Sequence, residues 1–178
     1  MIQVVVLLGL LAGVTQERKP LGVGDTVPDF EVKDLSGKLV KLSELRKSTE
    51  SGLVSLTFWC TFCHSCRHMD APFDALASDL KGKAAVVALD ASVTDNAASV
   101  EKFTRAKKFG VPVYLDAGGK VADLFGVKVT TTTIVIDKAG IVRYRGHFEG
   151  QQGPHARKAL EALLGGKDVE VKESAPKG

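Results

Sequence analysis

All three cysteines of this chain, Cys60, Cys63 and Cys66, fall inside seven residues, directly after the run Leu53-Val54-Ser55-Leu56-Thr57-Phe58-Trp59. That juxtaposition constrains the fold more than any other feature. The run before the cysteines has the length and composition of a strand. From Arg67 to Leu80 the apolar positions Met69, Phe73, Leu76, Ala77 and Leu80 follow the helical period. The cysteines therefore lie at a strand-to-helix turn.

The surrounding chain repeats that alternation. Phe30-Glu31-Val32 and Leu39-Val40-Lys41-Leu42 alternate apolar and polar about Asp34-Leu35-Ser36-Gly37, which predicts a hairpin, and Ser43 is placed to cap a short helix through Leu45. Ala85-Val86-Val87-Ala88-Leu89 is apolar enough for a strand covered on both faces, with Asp90-Ala91-Ser92 looping above it. A helix is predicted over 95–108, a strand over 113–116, a short helix over 119–125 and a strand over 132–137. Lys138-Ala139-Gly140 turns that strand back into Ile141-Val142-Arg143-Tyr144-Arg145, and Pro154 opens a last helix through Leu164. Strands alternating with helices predict an α/β fold with a largely parallel central sheet, to which the late hairpin adds an antiparallel edge.

At 178 residues the chain is long enough for one well-buried domain. The chain is expected to divide into a signal peptide or N-terminal anchor at 1–16, a linker at 17–23, the domain at 24–166 and a mobile charged tail at 167–178. Ile2 to Val14 is apolar but shorter than the ~20 residues that span a bilayer, and it resembles the apolar core of a secretory signal. It lacks the preceding Lys or Arg usual there. Export, to the periplasm or the outer face of the cytoplasmic membrane, is expected, with residues 2–14 as a membrane tether if they are not removed. The net charge of +3 is small and the lysines are dispersed, so nucleic acid is not expected as a partner. His147 and His155 receive a surface reading.

Two spacings overlap in the cysteine stretch: Cys60-x-x-Cys63-His64, the attachment signature of a c-type haem, and Cys63-His64-Ser65-Cys66, a redox dithiol. A cysteine on the loop into a helix meets the positive end of that helix, which stabilises a thiolate, and Cys63 has that position. Cys66, one helical turn on, can close a disulfide with it or release a mixed disulfide. His64, when protonated, would hold the Cys63 thiol lower; the plain alternative is a solvent-facing loop histidine.

The sequence resembles the TlpA/ResA-type redoxins, thioredoxin-fold thiol-disulfide oxidoreductases related to the AhpC/TSA proteins. The resemblance runs from Gly24 to about Leu164 and rests on an ordered set of motifs. These are Gly-x-x-x-Pro-Asp-Phe at 24–30, Asp-Leu-x-Gly-Lys at 34–38, Leu-Ser-x-Leu at 42–45 and Phe-Trp-x-Thr-x-Cys-x-x-Cys-Arg at 58–67. Phe-Gly-Val at 125–127 and Thr130 through Asp137, followed by Gly140 and Ile141, complete it. It implies a thioredoxin-like three-layer sandwich whose central mixed sheet carries an N-terminal β-hairpin extension. It also implies that Cys63 attacks and Cys66 resolves, with Trp59, Cys60, Phe62, His64, Ser65, Thr130 and Thr131 as neighbours. The redox-active disulfide would be the sole cofactor. Protein thiols or disulfides would be substrates of a monomer supplied by an upstream electron donor, often during cytochrome c maturation.

Departures from the family pattern cluster at the same sulfur. The family's cis-proline is replaced by Thr131, and a cis bond there costs about 2.5 to 4 kcal/mol without proline, so a trans bond is expected. Thr57 stands where thioredoxins hold a buried acid and Met69 where ResA-type members have glutamate. Asp70, one turn after Cys66, is the nearest carboxylate and a candidate for proton transfer, against the default of an ordinary exposed helix position. Cys60 stands where Ala or Gly is usual, either as a small buried apolar residue, as a partner of Cys63, or with Cys63 and Cys66 as a ligand of Cu(I) or Zn(II). The competing functions are a metallochaperone using those three cysteines, a c-type haem protein, and a thiol peroxidase. A peroxiredoxin's Pro-x-x-x-Thr/Ser-x-x-Cys pattern would require Pro and Thr/Ser where Leu56 and Cys60 stand.

Overall fold

The computed structural model describes residues 19–148 and 153–175. The apolar segment at 1–16 lies outside them. Among the described residues no helix is long and apolar enough to cross a membrane.

The elements in chain order are β1 (Glu31–Lys33), β2 (Leu39–Lys41), α1 (Leu42–Lys47), β3 (Leu53–Phe58), α2 (His64–Asp79), β4 (Ala84–Asp90) and α3 (Ala97–Lys107). They continue with β5 (Val113–Leu115), α4 (Lys120–Phe125), β6 (Thr132–Ile136), β7 (Val142–His147) and α5 (His155–Leu164). The strands form one sheet in the order β2-β1-β5-β4-β3-β6-β7. Residues alternate between its faces. Along β4, Ala84, Val86 and Ala88 join the core with Met69, Phe73 and Leu76 of α2 and Leu160 of α5. Ala85, Val87 and Leu89 join Leu45 of α1 and Val121 and Phe125 of α4. Two cores on opposite faces of one sheet make the three-layer fold.

The sheet is mixed rather than largely parallel. Among the strands of the described residues, only β3 with β4 and β4 with β5 pair in parallel, whereas β6 runs antiparallel to both β3 and β7. The reason is where the chain enters β6. Thr131 donates its amide to the Phe58 carbonyl at the site end of β3 (2.6 Å), so β6 can only run away from that end.

Other expectations also change. Ser43 does not cap α1 but lies inside it, and its amide and hydroxyl both donate to Asp29, at 2.8 Å each. The linker is part of the domain where it is described. The Leu21 amide donates to the Leu124 carbonyl, the Leu21 carbonyl accepts from the Arg145 guanidinium, and a Cβ on Gly126, held at a φ of +59°, would meet Pro20. The tail is docked as well. Residues 172–174 lie along β7 through Arg145 N to Lys172 O (3.0 Å) and Ser174 N to Arg145 O (3.1 Å), Val169 is buried, and a Cβ on Gly146 would collide with Ser174. An open sheet edge exposes unpaired backbone groups, and the tail covers this one. His155 is half-buried at the start of α5, with both ring nitrogens shielded from solvent, rather than a plain surface residue.

Candidate active site

The strand-to-helix turn sets the site. β3 is buried along its whole length, so Trp59 and Cys60 emerge at its end already buried. α2 starts at His64 with Cys63 as its N-cap, in extended conformation, and the Cys63 sulfur accepts the Cys66 amide at 3.1 Å. A cysteine sulfur thus occupies the place of a capping oxygen. On its other side lies the Thr130 hydroxyl, at 3.0 Å. Partial burial pushes the Cys63 thiol up. Hydrogen bonds with the Cys66 thiol, the Thr130 hydroxyl and the Cys66 amide, together with the Arg67 charge, outweigh that, and its pKa ends below the usual thiol value. The other thiols shift the opposite way. Cys66 is completely buried, and burial, then the hydrogen bond and charge of Cys63, push it far up. Cys60 is pushed up to about 11 by burial, with the charges of Cys63 and Asp90 adding to it. All three cysteines are free thiols.

Arg67 and two carboxylates hold the turn in place. The Arg67 guanidinium donates to the carbonyls of Thr61 (2.7 Å) and Cys60 (3.0 Å) and lies over Phe103 and Trp59, 4.2 and 5.0 Å from their ring centres. Asp70 pairs with Arg67 at 3.0 Å and accepts the Trp59 indole N–H at 2.9 Å. Asp70 therefore clamps the platform beneath the site. Its carboxylate is committed there, which corrects its reading as a proton-transfer group. The Trp59 ring stacks on Phe109 at 5.2 Å, inside the core. Asp95 accepts both the amide (2.9 Å) and the hydroxyl (2.6 Å) of Thr61. Burial raises the Asp95 carboxyl, but the Thr61 bonds outweigh this and hold it below the ordinary range. Beside it, burial raises Asp90 to about 7; the Ser92 amide opposes this and the Asp95 carboxylate reinforces it. The carboxylates of Asp90 and Asp95 carry no signal in the sequence, because nothing in their spacing brings Asp90 near Cys60 or Asp95 to Thr61.

The remaining neighbours separate into distinct roles. Thr131 is trans, buried, and held at a φ of +69°, a region β-branched residues rarely enter. Thr57, in the place of the thioredoxin acid, shares a buried hydroxyl contact with Thr133 at 3.0 Å. Ser65 is half-buried in the first turn of α2. His64 is exposed but helical, the first residue of α2. Phe62 is 64% exposed and Val93 97% exposed, beside a groove of about 400 Å³ lined also by Phe58, Trp59, Cys60 and Thr130. As for Cys60, Cys63 and Cys66 as metal ligands, no group of three or more His, Cys, Asp or Glu among the described residues is arranged to hold an ion.

A lowered, half-exposed thiol backed by a buried one is the arrangement of a redox dithiol, and residues 23–145 match the AhpC/TSA family. The chain belongs to that family. It is a redoxin of the TlpA/ResA type, an oxidoreductase with a thioredoxin-like fold. This redoxin is 32% identical over 156 residues to thiol-disulfide oxidoreductase ResA of Bacillus cereus, covering 87% of this chain and 84% of that protein. It is also similar to the structure of a putative thiol:disulfide interchange protein DsbE from Chlorobium tepidum, at 29% identity and a TM-score of 0.63 over 82% of this chain and 97% of that one. Peroxidoxin BcpB from Mycobacterium tuberculosis is similar to the same extent, at 32% identity, a TM-score of 0.63 and the same coverage.

Proposed function

We propose that this redoxin is a thiol-disulfide oxidoreductase that reduces or exchanges disulfides of exported proteins through Cys63 and Cys66. The observation that carries the reading is the Cys63 sulfur at the N-terminus of α2, between the Cys66 amide and the Thr130 hydroxyl. The Cys63 thiolate attacks one sulfur of a substrate disulfide, and the other sulfur leaves as a thiolate that takes up a proton. In the mixed disulfide the charge of Cys63 is gone, and with it two of the three influences that hold the Cys66 thiol up. Cys66 then loses its proton and attacks the Cys63 sulfur, releasing the second substrate thiolate. The substrate gains two electrons and two protons, and the chain is left with a Cys63–Cys66 disulfide. An upstream dithiol donor returns it to the reduced form.

The apolar groove beside Phe62 and Val93 fits an apolar segment flanking the substrate's disulfide. The family's disulfide-exchanging relatives and the apolar N-terminal segment support an extracytoplasmic location. Reduction of insulin or of a scrambled disulfide protein tests the proposal. Cys63→Ser abolishes turnover, Cys66→Ser traps mixed disulfides, and wild-type-like turnover by Cys63→Ser overturns the assignment. A peroxidase is the second reading, favoured by the likeness to BcpB. Hydrogen peroxide that consumed the Cys63 thiol faster than a protein disulfide does would favour it over the first.

A further inference from the structure

We infer that His64 and His68 form a bidentate site for a divalent transition metal cation, zinc(II) being the best geometric match. The two histidines are four residues apart on α2, exposed, and stand on the same helical face. Their Nε2 atoms face each other at 3.3 Å, with ring centroids 4.9 Å apart and the rings nearly perpendicular. Imidazole nitrogens bind zinc at about 2.0–2.1 Å, so two nitrogens separated by 3.3 Å subtend an angle of about 107° at a shared ion. That is tetrahedral; a square-planar ion would draw the nitrogens closer together. Water or a ligand from solution completes the coordination, because the described residues bring no third His, Cys, Asp or Glu into the group.

The site lies beside the redox pair without sharing its residues. The positive end of α2 opposes a cation there, so binding rests on the two imidazoles. This goes beyond disulfide exchange and does not require it, since the disulfide form still binds through its imidazoles.

The test is calorimetric titration of zinc chloride into the untagged full chain in its disulfide form, where Cys63 and Cys66 are unavailable as ligands. One cation is expected per chain, and His64→Ala or His68→Ala each weakens it by about ten-fold or more. Circular dichroism verifies that these exposed positions leave the fold intact. The dithiol form is expected to lose its binding in the same two variants. Absence of binding to the disulfide form overturns the inference. So does binding, in either form, that survives His64→Ala/His68→Ala, because other ligands would then hold the ion.

Discussion

Cys60 and Cys63 are one strand end and one helix cap apart, yet their thiols are driven in opposite directions. Cys60 still belongs to the end of β3. It is buried, and the charges nearest it, those of Cys63 and Asp90, are of the sign that suppresses a thiolate. Cys63 has left the strand, and what meets its sulfur is an amide, a hydroxyl and the charge of Arg67. Position against the end of a helix, not the number of cysteines, decides which thiol is held low.

The largest contrast lies in thiol reactivity itself. With Cys60 pushed up to about 11 from an ordinary value of 9.0, it carries about 100-fold less thiolate than a normal thiol at pH 7 to 8. Limited iodoacetamide labelling followed by peptide mass mapping is expected to modify Cys63 first and leave Cys60 intact. Comparable labelling of the two would break the contrast at its root.

Asp90→Asn probes the Cys60 side. A buried carboxyl raised to about 7 is favoured in its protonated form. The stability it contributes is complete below about pH 4 and is lost as the pH rises through 7. The unfolding free energy of the wild type, from denaturant titration, is expected to fall across that window by on the order of 3 kcal/mol, and that of Asp90→Asn to stay flatter. Burial, the largest influence on Cys60, remains in the variant, so Cys60 stays unreactive. A Cys60 that becomes freely labelled in Asp90→Asn would show that the carboxyl, not burial, silences it.

Thr130→Val probes the Cys63 side. Loss of one hydrogen bond to a charged group costs about 1.5 kcal/mol, so the Cys63 pKa is expected to rise by about one unit. Thr130→Ser is expected to preserve it. The pH dependence of thiolate absorbance reads both, and a Thr130→Val profile identical to the wild type would remove the hydroxyl from the account.

The legibility of these features follows their distance along the chain. The strand into the cysteines, the helix after them and the one-turn spacing that brings Cys63 and Cys66 together are written in consecutive residues, where alternation and helical period act. The Thr130 contact spans 67 positions and was reachable only through the resemblance, which placed that segment beside the dithiol. The Thr61 to Asp95 anchor spans 34 positions and had no such help. The tail was misread for a different reason. Its charge describes its exposed side, while the sheet edge it covers is satisfied by backbone atoms, which composition does not record. The His64 and His68 pair sits at a spacing of four and was legible once His64 was placed in the helix rather than the loop.

Arg67→Lys gives the smallest shift and the sharpest division of labour. The guanidinium does two things here: it carries a charge toward Cys63, and it forks between the carbonyls of Cys60 and Thr61 while stacking on Phe103. Lysine retains the charge but not the planar fork. The Cys63 pKa is therefore expected to move by only about a few tenths of a unit, while stability falls by about 1 to 2 kcal/mol as the carbonyl bonds are lost. Unfolding followed through the fluorescence of Trp59, the single tryptophan, reads the second effect on the platform that Arg67 covers. If Arg67→Lys raised the Cys63 pKa as far as Thr130→Val, the clamped backbone of the turn would be setting the thiolate, and the hydroxyl would only be reporting its position.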